Sequence, residues 1–162
     1  PGRMTYMGEE RAPLDLSGLP AILDGFRAEG VEAIAVSFLH SYANTTHEEA
    51  ALAEVQRLWP EVSVVASHQI TREWREYERT NTAVLSAYVQ PVAARYLQKL
   101  DDGLKSRGFA KNPYIMQSNC GVDSLPATMR TPITMVESGP ASGFWGGSWL
   151  KLRCGTFVLR RK

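Results

Sequence analysis

The first seventy residues alternate between helix-like and strand-like patterns of hydrophobic positions. Apolar residues recur three or four positions apart over residues 19–26, which predicts an amphipathic helix. A mostly continuous apolar run at residues 31–39 is typical of a strand that helices cover on both faces, and residues 61–66 predict another strand. A second helix is predicted between them, over residues 47–59. This alternation predicts an α/β domain.

The second half of the chain has a different pattern. Residues 75–107 carry apolar positions at helical spacing, interrupted by Pro91, and predict either a kinked helix or two consecutive helices. Short apolar runs at residues 114–117 and 133–137 predict two strands. Residues 118–123, between them, form a turn-rich loop. We therefore expect a long helical segment followed by short elements joined by loops.

Charge and composition exclude several functions. The 162 residues include 18 Lys and Arg against 17 Asp and Glu, but five of the cations lie within residues 151–162, which contain no acid. The rest of the chain, with 13 basic and 17 acidic residues, lacks the positive face of a nucleic-acid-binding domain. No apolar run is long enough for a membrane span and no signal segment is present, so we expect a cytoplasmic location. Two cysteines are too few for a disulfide framework.

Three histidines, His40, His47 and His68, raise the question of a metal site. Together with a cysteine or Glu48 they include the residue types that bind zinc. Histidines at strand ends and helix starts more commonly hydrogen-bond a loop, and we favour that interpretation. The sequence therefore assigns no metal ligands.

The charged run at residues 72–79 and the cysteine at position 120 also have plain interpretations. The charges of the run lie three and four positions apart, as on a solvated helix face: Arg72, Glu73, Arg75, Glu76, Glu78 and Arg79. Cys120 would act as a nucleophile only beside a partner base, and the sequence identifies none. We interpret Cys120 as a small loop residue, and the catalytic residues stay unknown.

Two glycine-containing segments are better candidates for a ligand site. Residues 119–121 and 138–140 are both predicted at strand ends, where α/β folds bind ligands. A helix is predicted to begin at Ser138, and free amides at a helix start favour an anion such as phosphate. Gly139 and Gly143 permit close approach of a ligand or of another backbone. The alternative is that these glycines serve only helix packing.

Four stretches, in order along the chain, resemble one known family. They are residues 33–42 with Asn44, His47 and Glu48; residues 75–82 with residues 87–89 and Pro91; residues 116–122; and residues 132–134 with residues 137–143. Together they make the chain similar to the hydantoinase A/5-oxoprolinase family, which includes the acetone carboxylase β-type subunits.

The resemblance implies a fold and a reaction. The fold is an actin-like ATPase (ASKHA) architecture, in which two related α/β halves close on a nucleotide. Residues 1–71 would end the first half and residues 72–149 would start the second. The implied reaction is the ATP-dependent hydrolysis of a cyclic amide, either hydantoin or 5-oxoproline, with ATP and Mg²⁺ as cofactors and a hydantoinase B-type large subunit or region as the partner.

The resemblance also implies site residues. Ser138, Gly139 and Gly143 would lie at the nucleotide, because the helix that follows the strand near Glu137 lines the cleft between the halves in actin-like ATPases. Asn119 and Gly121, on the neighbouring loop, would contact the substrate.

The sequence departs from the family in three places. It begins past the Asp-x-Gly-Gly-Thr-type turn that would hold phosphate, position 120 is Cys where the family usually has Gly, and residues 150–162 form a divergent basic tail. We therefore expect an internal segment, incomplete at both ends and inactive alone. Two alternatives stay open: a subunit of an ATP-dependent ketone carboxylase, and a non-catalytic module for subunit assembly.

Overall fold

A computed structural model describes residues 2–154, with side chains described up to Trp149. The chain forms two compact units, the first ending at Arg95 and the second beginning at Tyr96. The first unit contains β1 Arg3–Met4, β2 Glu10–Ala12, α1 Leu19–Ala28, β3 Ala33–Val36, α2 Thr46–Leu58 and β4 Ser63–Ala66. It also contains most of α3 Glu76–Ser106, within which the division between the units falls.

The centre of the first unit is a parallel pair of strands with a crossover helix. β3 and β4 pair in register from Ala33 opposite Ser63 to Val36 opposite Ala66, and α2 connects them. This arrangement confirms the predicted α/β class. The core packs one face of this pair against α1 and α2 through Leu23, Ile34, Val36, Ala51, Val55 and Val62.

The prediction that β3 is covered on both faces is only half correct. Ile34 and Val36 are buried, whereas Ala33 and Ala35, which point to the other face, are half-buried. Alternation along a strand places these two pairs on opposite sides of the sheet. The face formed by Ala33 and Ala35 has small side chains, so it can stay partly exposed at little cost. A continuous apolar run in the sequence therefore does not show whether one face of a strand is covered or both.

α3 is a single helix of 31 residues with Pro91 in its interior. Of the two alternatives predicted around Pro91, the one with two consecutive helices is therefore wrong. Proline removes one backbone donor, and the long hydrogen-bonded segments on either side keep the helix continuous. Before Pro91 the residues Ala83 and Ala87 are buried in the first unit, and after it Leu97 is buried in the second.

The second unit follows α3 with a hairpin and two further helices. β5 Tyr114–Met116 and β6 Val122–Ser124 pair antiparallel, and α4 Leu125–Arg130 and α5 Ser138–Cys154 follow. The strand predicted at residues 133–137 is wrong, because Pro132–Met135 form a turn of 3₁₀ helix. The carbonyl of Thr134 accepts hydrogen bonds from the backbone and the hydroxyl of Ser118, so it is used by the hairpin turn instead of a strand ladder.

The described helices include none that is both long and apolar enough to cross a membrane. The divergent tail predicted at residues 150–162 lies outside the residues whose side chains are described, and it stays a prediction.

Candidate functional site

A completely buried glutamate is hydrogen-bonded by the residues that follow β3 and β4. Glu48, in the first turn of α2, is 0% exposed. Its Oε1 atom accepts hydrogen bonds from the Phe38 amide at 2.8 Å and the Ser67 hydroxyl at 2.7 Å. Its Oε2 atom lies 3.0 Å from the His68 amide and 2.8 Å from His68 Nδ1. Every acceptor direction of this carboxylate faces a partner from the edge of the sheet.

These partners keep Glu48 ionised. Burial alone would raise the pKa of the carboxyl, because a low-dielectric surrounding disfavours the charged form. The hydrogen bonds from His68, Ser67 and Phe38 outweigh burial and hold the pKa of Glu48 below its ordinary value. The sheet edge therefore contains a fixed negative charge.

A buried arginine balances that charge. Arg79, in the first turn of α3, is 0% exposed, so its predicted place on a solvated helix face is wrong. Its Nε donates to the Ser67 hydroxyl at 3.0 Å, and its two terminal nitrogens donate to the carbonyls of Glu73 and Phe38, each at 2.7 Å. Because Ser67 donates to Glu48 and accepts from Arg79, the hydroxyl links the two charges. We call Glu48, Ser67 and Arg79 the buried relay.

A half-exposed rim lies beside the buried relay. His40 has a φ of +60°, and its backbone amide lies 3.4 Å and its Nδ1 atom 3.7 Å from Glu76 Oε1. The Tyr42 hydroxyl is 3.5 Å from the same Nδ1 atom. Ser37 and Thr80 join the same two segments through a hydroxyl pair at 2.8 Å. We call His40, Tyr42 and Glu76 the histidine rim.

The structure thus brings together two of the stretches that carried the family resemblance. Residues 37–42 follow β3, and residues 76–80 begin α3, yet they contact each other at the carboxyl end of the parallel pair. Ligands of open α/β sheets bind at such strand ends. Sequence analysis treated the two stretches as separate motifs and did not predict this meeting.

The predicted nucleotide residues lie at the start of α5. Ser138 is the first residue of the helix and is half-buried, while Gly139 and Gly143 are exposed. Amides at the first helical positions have no partner within the helix, and no acidic residue lies in this first turn. A Cβ atom built on Gly139 or Gly143 meets no described atom within 4 Å, apart from the helix backbone. Packing within the described chain therefore does not require glycine at either position.

The predicted substrate residues lie in the turn between β5 and β6. Asn119 and Gly121 are exposed, and Asn119 Oδ1 accepts a hydrogen bond from the Gly121 amide at 2.8 Å. Cys120, between them, has a φ of +67°, in the left-handed region that favours glycine. The glycine that the resemblance implies at this position would adopt this conformation without strain. The hairpin is antiparallel, so this turn is not at the carboxyl edge of a parallel sheet.

The two predicted segments are neighbours within the second unit. Ser118 donates from its hydroxyl to the carbonyls of Thr134 and Val136, just before α5. Cys120 Sγ lies 3.6 Å from the Ala141 carbonyl, inside the first turns of α5. The hairpin turn and the helix start are therefore in contact.

The histidines do not converge on one site. His47 Nε2 lies 2.7 Å from Glu10, His68 faces Glu48, and His40 faces Glu76. No group of three or more His, Cys, Asp or Glu side chains in the described part of the chain is arranged to hold a metal ion.

The first unit also has an open cavity of about 410 Å³, which the residues after β3 line together with residues 2–4 and 14–16. Its wall includes Met4, Leu14, Leu16, Ser37, Phe38 and His47. The predominance of apolar side chains suits a hydrophobic group.

Comparison with known proteins decides the family. The model of the hydantoinase/oxoprolinase N-terminal region matches residues 1–58, and the hydantoinase/oxoprolinase model matches residues 79–153. The chain belongs to the hydantoinase/oxoprolinase family. The resemblance seen in the sequence is thereby confirmed. Glu48 lies in the first match and Arg79 is the first residue of the second, so the buried relay joins the two matched regions.

The relatives of this chain are much longer proteins. The caprolactamase alpha subunit of Pseudomonas jessenii is 36% identical over 141 residues, which are 87% of this chain and 20% of that subunit. The 5-oxoprolinase 1 of Arabidopsis thaliana is 34% identical over 143 residues, 84% of this chain and 10% of that protein. This chain therefore spans a fifth or less of the length of these relatives.

Two solved structures have a fold similar to that of this chain. The ATP-dependent caprolactamase from Pseudomonas jessenii has a TM-score of 0.83 at 35% identity, covering 96% of this chain and 23% of its own. The nucleotide-free acetone carboxylase structure has a TM-score of 0.81 at 26% identity, covering 95% of this chain and 22% of its own.

Proposed function

We propose that this chain is part of the ATP-dependent subunit of a cyclic-amide hydrolase. The observation that carries the proposal is the likeness to the ATP-dependent caprolactamase, at a TM-score of 0.83 and 35% identity over 96% of the chain. The relationship to 5-oxoprolinase 1 supports the same substrate class. Caprolactam and 5-oxoproline are both lactams, and hydantoin is a cyclic amide of similar size.

Within this proposal the chain contributes to an actin-like ATPase fold. Residues 1–71 belong to the end of its first α/β half and residues 72–149 to the start of its second. The parallel β3–α2–β4 step supports this assignment, because repeated steps of this kind build α/β halves.

The nucleotide would contact the chain at the start of α5. The amides of Ser138 and Gly139 have no partner within the helix, and the positive end of the helix dipole lies here. These features fit a phosphate group. Gly143, one turn further along the exposed surface, leaves room for the nucleotide or for the opposite half. The described residues offer no carboxylate cluster for Mg²⁺, so we expect the ion to accompany the nucleotide, and we assign it no ligand here.

The substrate would contact the adjoining hairpin turn. Asn119 uses its Oδ1 atom to accept from Gly121, which leaves its Nδ2 group to donate to a substrate carbonyl. The turn is joined to α5 through Ser118 and Cys120, so nucleotide and substrate would meet on one surface.

The partner would be a hydantoinase B-type large subunit or region. The relative from Pseudomonas jessenii is named as an alpha subunit, which supports an enzyme assembled from more than one kind of chain. A cyclic-amide hydrolase that divides its work between two chains would place part of its chemistry outside this segment.

A ketone carboxylase subunit is the second candidate. The acetone carboxylase structure, at a TM-score of 0.81, favours it through an equally close fold but a lower identity of 26%. Both candidates use ATP, so the substrate distinguishes them. A third possibility, a non-catalytic assembly module, predicts partner binding without any ATP turnover.

The test is to measure phosphate release from ATP in a complete protein that carries this segment, together with its partner subunit. We expect a lactam such as 5-oxoproline or caprolactam to stimulate ATP hydrolysis and to be opened in step with it. Stimulation by a ketone with bicarbonate, and not by any cyclic amide, would support the carboxylase. Partner binding with no ATP hydrolysis under either condition would support the assembly module.

The 162-residue chain by itself is expected to hydrolyse no ATP above background. ATP hydrolysis requires the terminal phosphate to be positioned and its developing charge to be stabilised. The sequence contains no Asp-x-Gly-Gly-Thr turn for that purpose. Turnover that a substitution within this chain abolishes would contradict the expectation.

A further inference from the structure

One side of α3 exposes apolar side chains where a surface helix is expected to be polar. Within the first unit, five such side chains lie in an arc of about 100° around the helix axis, at 3.6 residues per turn. Each of them is at least 50% exposed. Asn81 is the one polar residue inside this arc between positions 77 and 92. We call the five residues the apolar stripe: Tyr77, Val84, Leu85, Tyr88 and Val92.

The opposite side of the same helical segment is already buried. Arg79, Ala83, Ser86 and Ala87 are each at most 4% exposed. Their positions are centred roughly opposite the apolar stripe. A surface helix normally turns a polar side to water, so a helix that is buried on one side and apolar on the other is typical of an element between two packed layers. The described residues supply the layer on the buried side only.

The apolar stripe is large for a free surface. A buried tyrosine covers about 150–250 Å², so exposures of 76% for Tyr77 and 79% for Tyr88 leave on the order of 300 Å² uncovered. The three aliphatic side chains are smaller and add a lesser area. Soluble domains rarely expose a contiguous apolar patch of more than a few hundred Å², and larger ones mark contact sites.

The same area is small for a contact between separate molecules. A stable interface buries about 800 Å² on each partner, which is more than the apolar stripe offers by itself. Association of two molecules also costs translational and rotational freedom. A segment tethered in the same polypeptide avoids most of that cost, because its effective concentration is high. The size of the stripe therefore favours a covering segment from the same polypeptide.

The relatives contain enough additional chain to supply such a segment. The matched residues are 20% of the caprolactamase alpha subunit and 10% of 5-oxoprolinase 1, so most of each polypeptide lies outside them. α3 also stands where the two family matches meet, since the first ends at residue 58 and the second begins at Arg79. Its buried side is attached to the first matched region through the buried relay.

We propose that the apolar stripe packs against a segment of the same polypeptide that lies outside these 162 residues in the complete protein. The segment presents an apolar face, together with a hydrogen-bond acceptor for the hydroxyl of Tyr88, which lies near the middle of the stripe; a tyrosine hydroxyl usually finds a partner when it is buried. The proposal concerns the assembly of the subunit and does not depend on which reaction the complete enzyme performs.

The first test is photo-crosslinking in the complete protein, with its partner subunit bound. Tyr88 is replaced by p-benzoyl-L-phenylalanine, a photoreactive aromatic residue, and the linked peptides are identified by mass spectrometry. Mixing ¹⁵N-labelled and unlabelled copies separates a link within one polypeptide from a link between two copies. We expect a link within one polypeptide to a peptide outside these 162 residues. A link to the partner subunit, to a second copy or within the 162 residues would overturn the proposal, and so would the absence of any link.

The second test is the stability of Tyr88→Ala, measured by thermal unfolding of the complete subunit with and without its partner. Alanine is the better helix former, so at an exposed site this change would leave the Tm unchanged or raise it. We expect the Tm to fall by about 2 °C or more, equally in both preparations, because a buried contact is lost. Lys105→Ala is the control, at an exposed position of the same helix outside the apolar stripe, and should leave the Tm nearly unchanged. An unchanged Tm in Tyr88→Ala, or a loss seen only when the partner is bound, would overturn the proposal.

Discussion

Cys120 occupies a backbone conformation that favours glycine. Its φ of +67° is easily adopted by glycine and costs a residue with a Cβ atom roughly 1 kcal/mol. The thiol contacts the Ala141 carbonyl at 3.6 Å, a weak hydrogen bond that offsets little of this cost. The hairpin turn therefore holds Cys120 in a conformation that suits glycine better.

The first prediction is that Cys120→Gly stabilises the chain, by about 1 kcal/mol relative to Cys120→Ala. Both variants lose the thiol contact, so their difference isolates the left-handed backbone. Urea unfolding of the two variants under the same conditions measures it. Equal midpoints would show that the turn relaxes without cost.

The second prediction concerns acid stability and Glu48. Its pKa is lower in the folded protein than in the unfolded chain, so the unfolded state takes up the proton first as the pH falls. The carboxylate therefore contributes its full stability above the unfolded pKa, about 4.3. That contribution is lost as the pH falls through the lower, folded value. Wild type should lose stability over this range, and the free-energy difference between wild type and Glu48→Gln should shrink.

Urea unfolding at neutral pH and at pH about 3 tests this expectation. Glu54→Gln is a suitable comparison, because Glu54 also has a lowered pKa but lies toward the surface and, among the described residues, pairs with Arg57. Its effect should be small at both pH values. A difference between wild type and Glu48→Gln that stays constant with pH would mean that Glu48 is not the group that titrates.

At the scale of elements, the buried relay connects α3 to the parallel pair. Arg79 lies one helical turn from Ala83 and two turns from Ser86 and Ala87, and all four are buried on one face. The guanidinium reaches the carbonyl of Phe38 after β3 and the hydroxyl of Ser67 after β4. The first turn of α3 is thereby attached to the edge of the parallel pair.

The third prediction is that Arg79→Met destabilises the first unit by about 3–5 kcal/mol, because it leaves Glu48 buried without its compensating charge. Arg75→Met, an exposed position four residues earlier, should cost less than about 1 kcal/mol. The double variant Glu48→Gln/Arg79→Met should lose less than the two single variants added together. Additive losses, measured by chemical unfolding, would show that Ser67 does not link the two charges.

The same elements show what could be predicted from sequence. Four elements lie within a few residues of their predicted positions: α1, α2, β3 and β4. Each was predicted from the spacing of nearby hydrophobic residues, which does not depend on distant parts of the chain. The 3₁₀ turn at Pro132–Met135 was mistaken for a strand, since its β-branched residues fit either state and the choice depends on Ser118, far away in sequence. Arg79 was assigned to a solvated face because it is charged, although its spacing from Ala83 and Ala87 places it on their buried face.

The candidate sites were predictable to different degrees. The start of α5 was predicted correctly, because Ser-Gly-Pro has the residues of a helix entry. The meeting of His40 with Glu76 was not, because it requires the parallel pairing of β3 with β4 and the packing of α3 against their ends. Neither the pairing nor the packing leaves a short-range signal in the sequence.

At the scale of the whole molecule, α5 has exposed apolar side chains and exposed glycines. The matched residues make up a fifth or less of these relatives. On α5, Phe144 and Trp145 are exposed along with Gly139 and Gly143. Under the proposed function, the exposed glycines lie where the nucleotide or the opposite half comes close.

The last prediction tests that placement in a complete protein that carries this segment. Gly143→Val should reduce kcat/KM for ATP at least tenfold, because a branched side chain would displace the nucleotide or the opposite half, and misplacement by about 1 Å can cost a hundredfold in rate. The variant should fold normally, since a Cβ atom at this position meets no described atom within 4 Å and valine is a better helix former than glycine.

Gly103→Val is the matched control, as it makes the same change at an exposed helical glycine with equally open surroundings. The control should keep its kcat/KM within about twofold, because the substitution adds apolar surface away from the proposed contacts and surface changes of this kind are usually nearly neutral. Full activity in Gly143→Val would mean that α5 does not line the nucleotide cleft, and loss of folding in that variant alone would mean that the glycine serves packing.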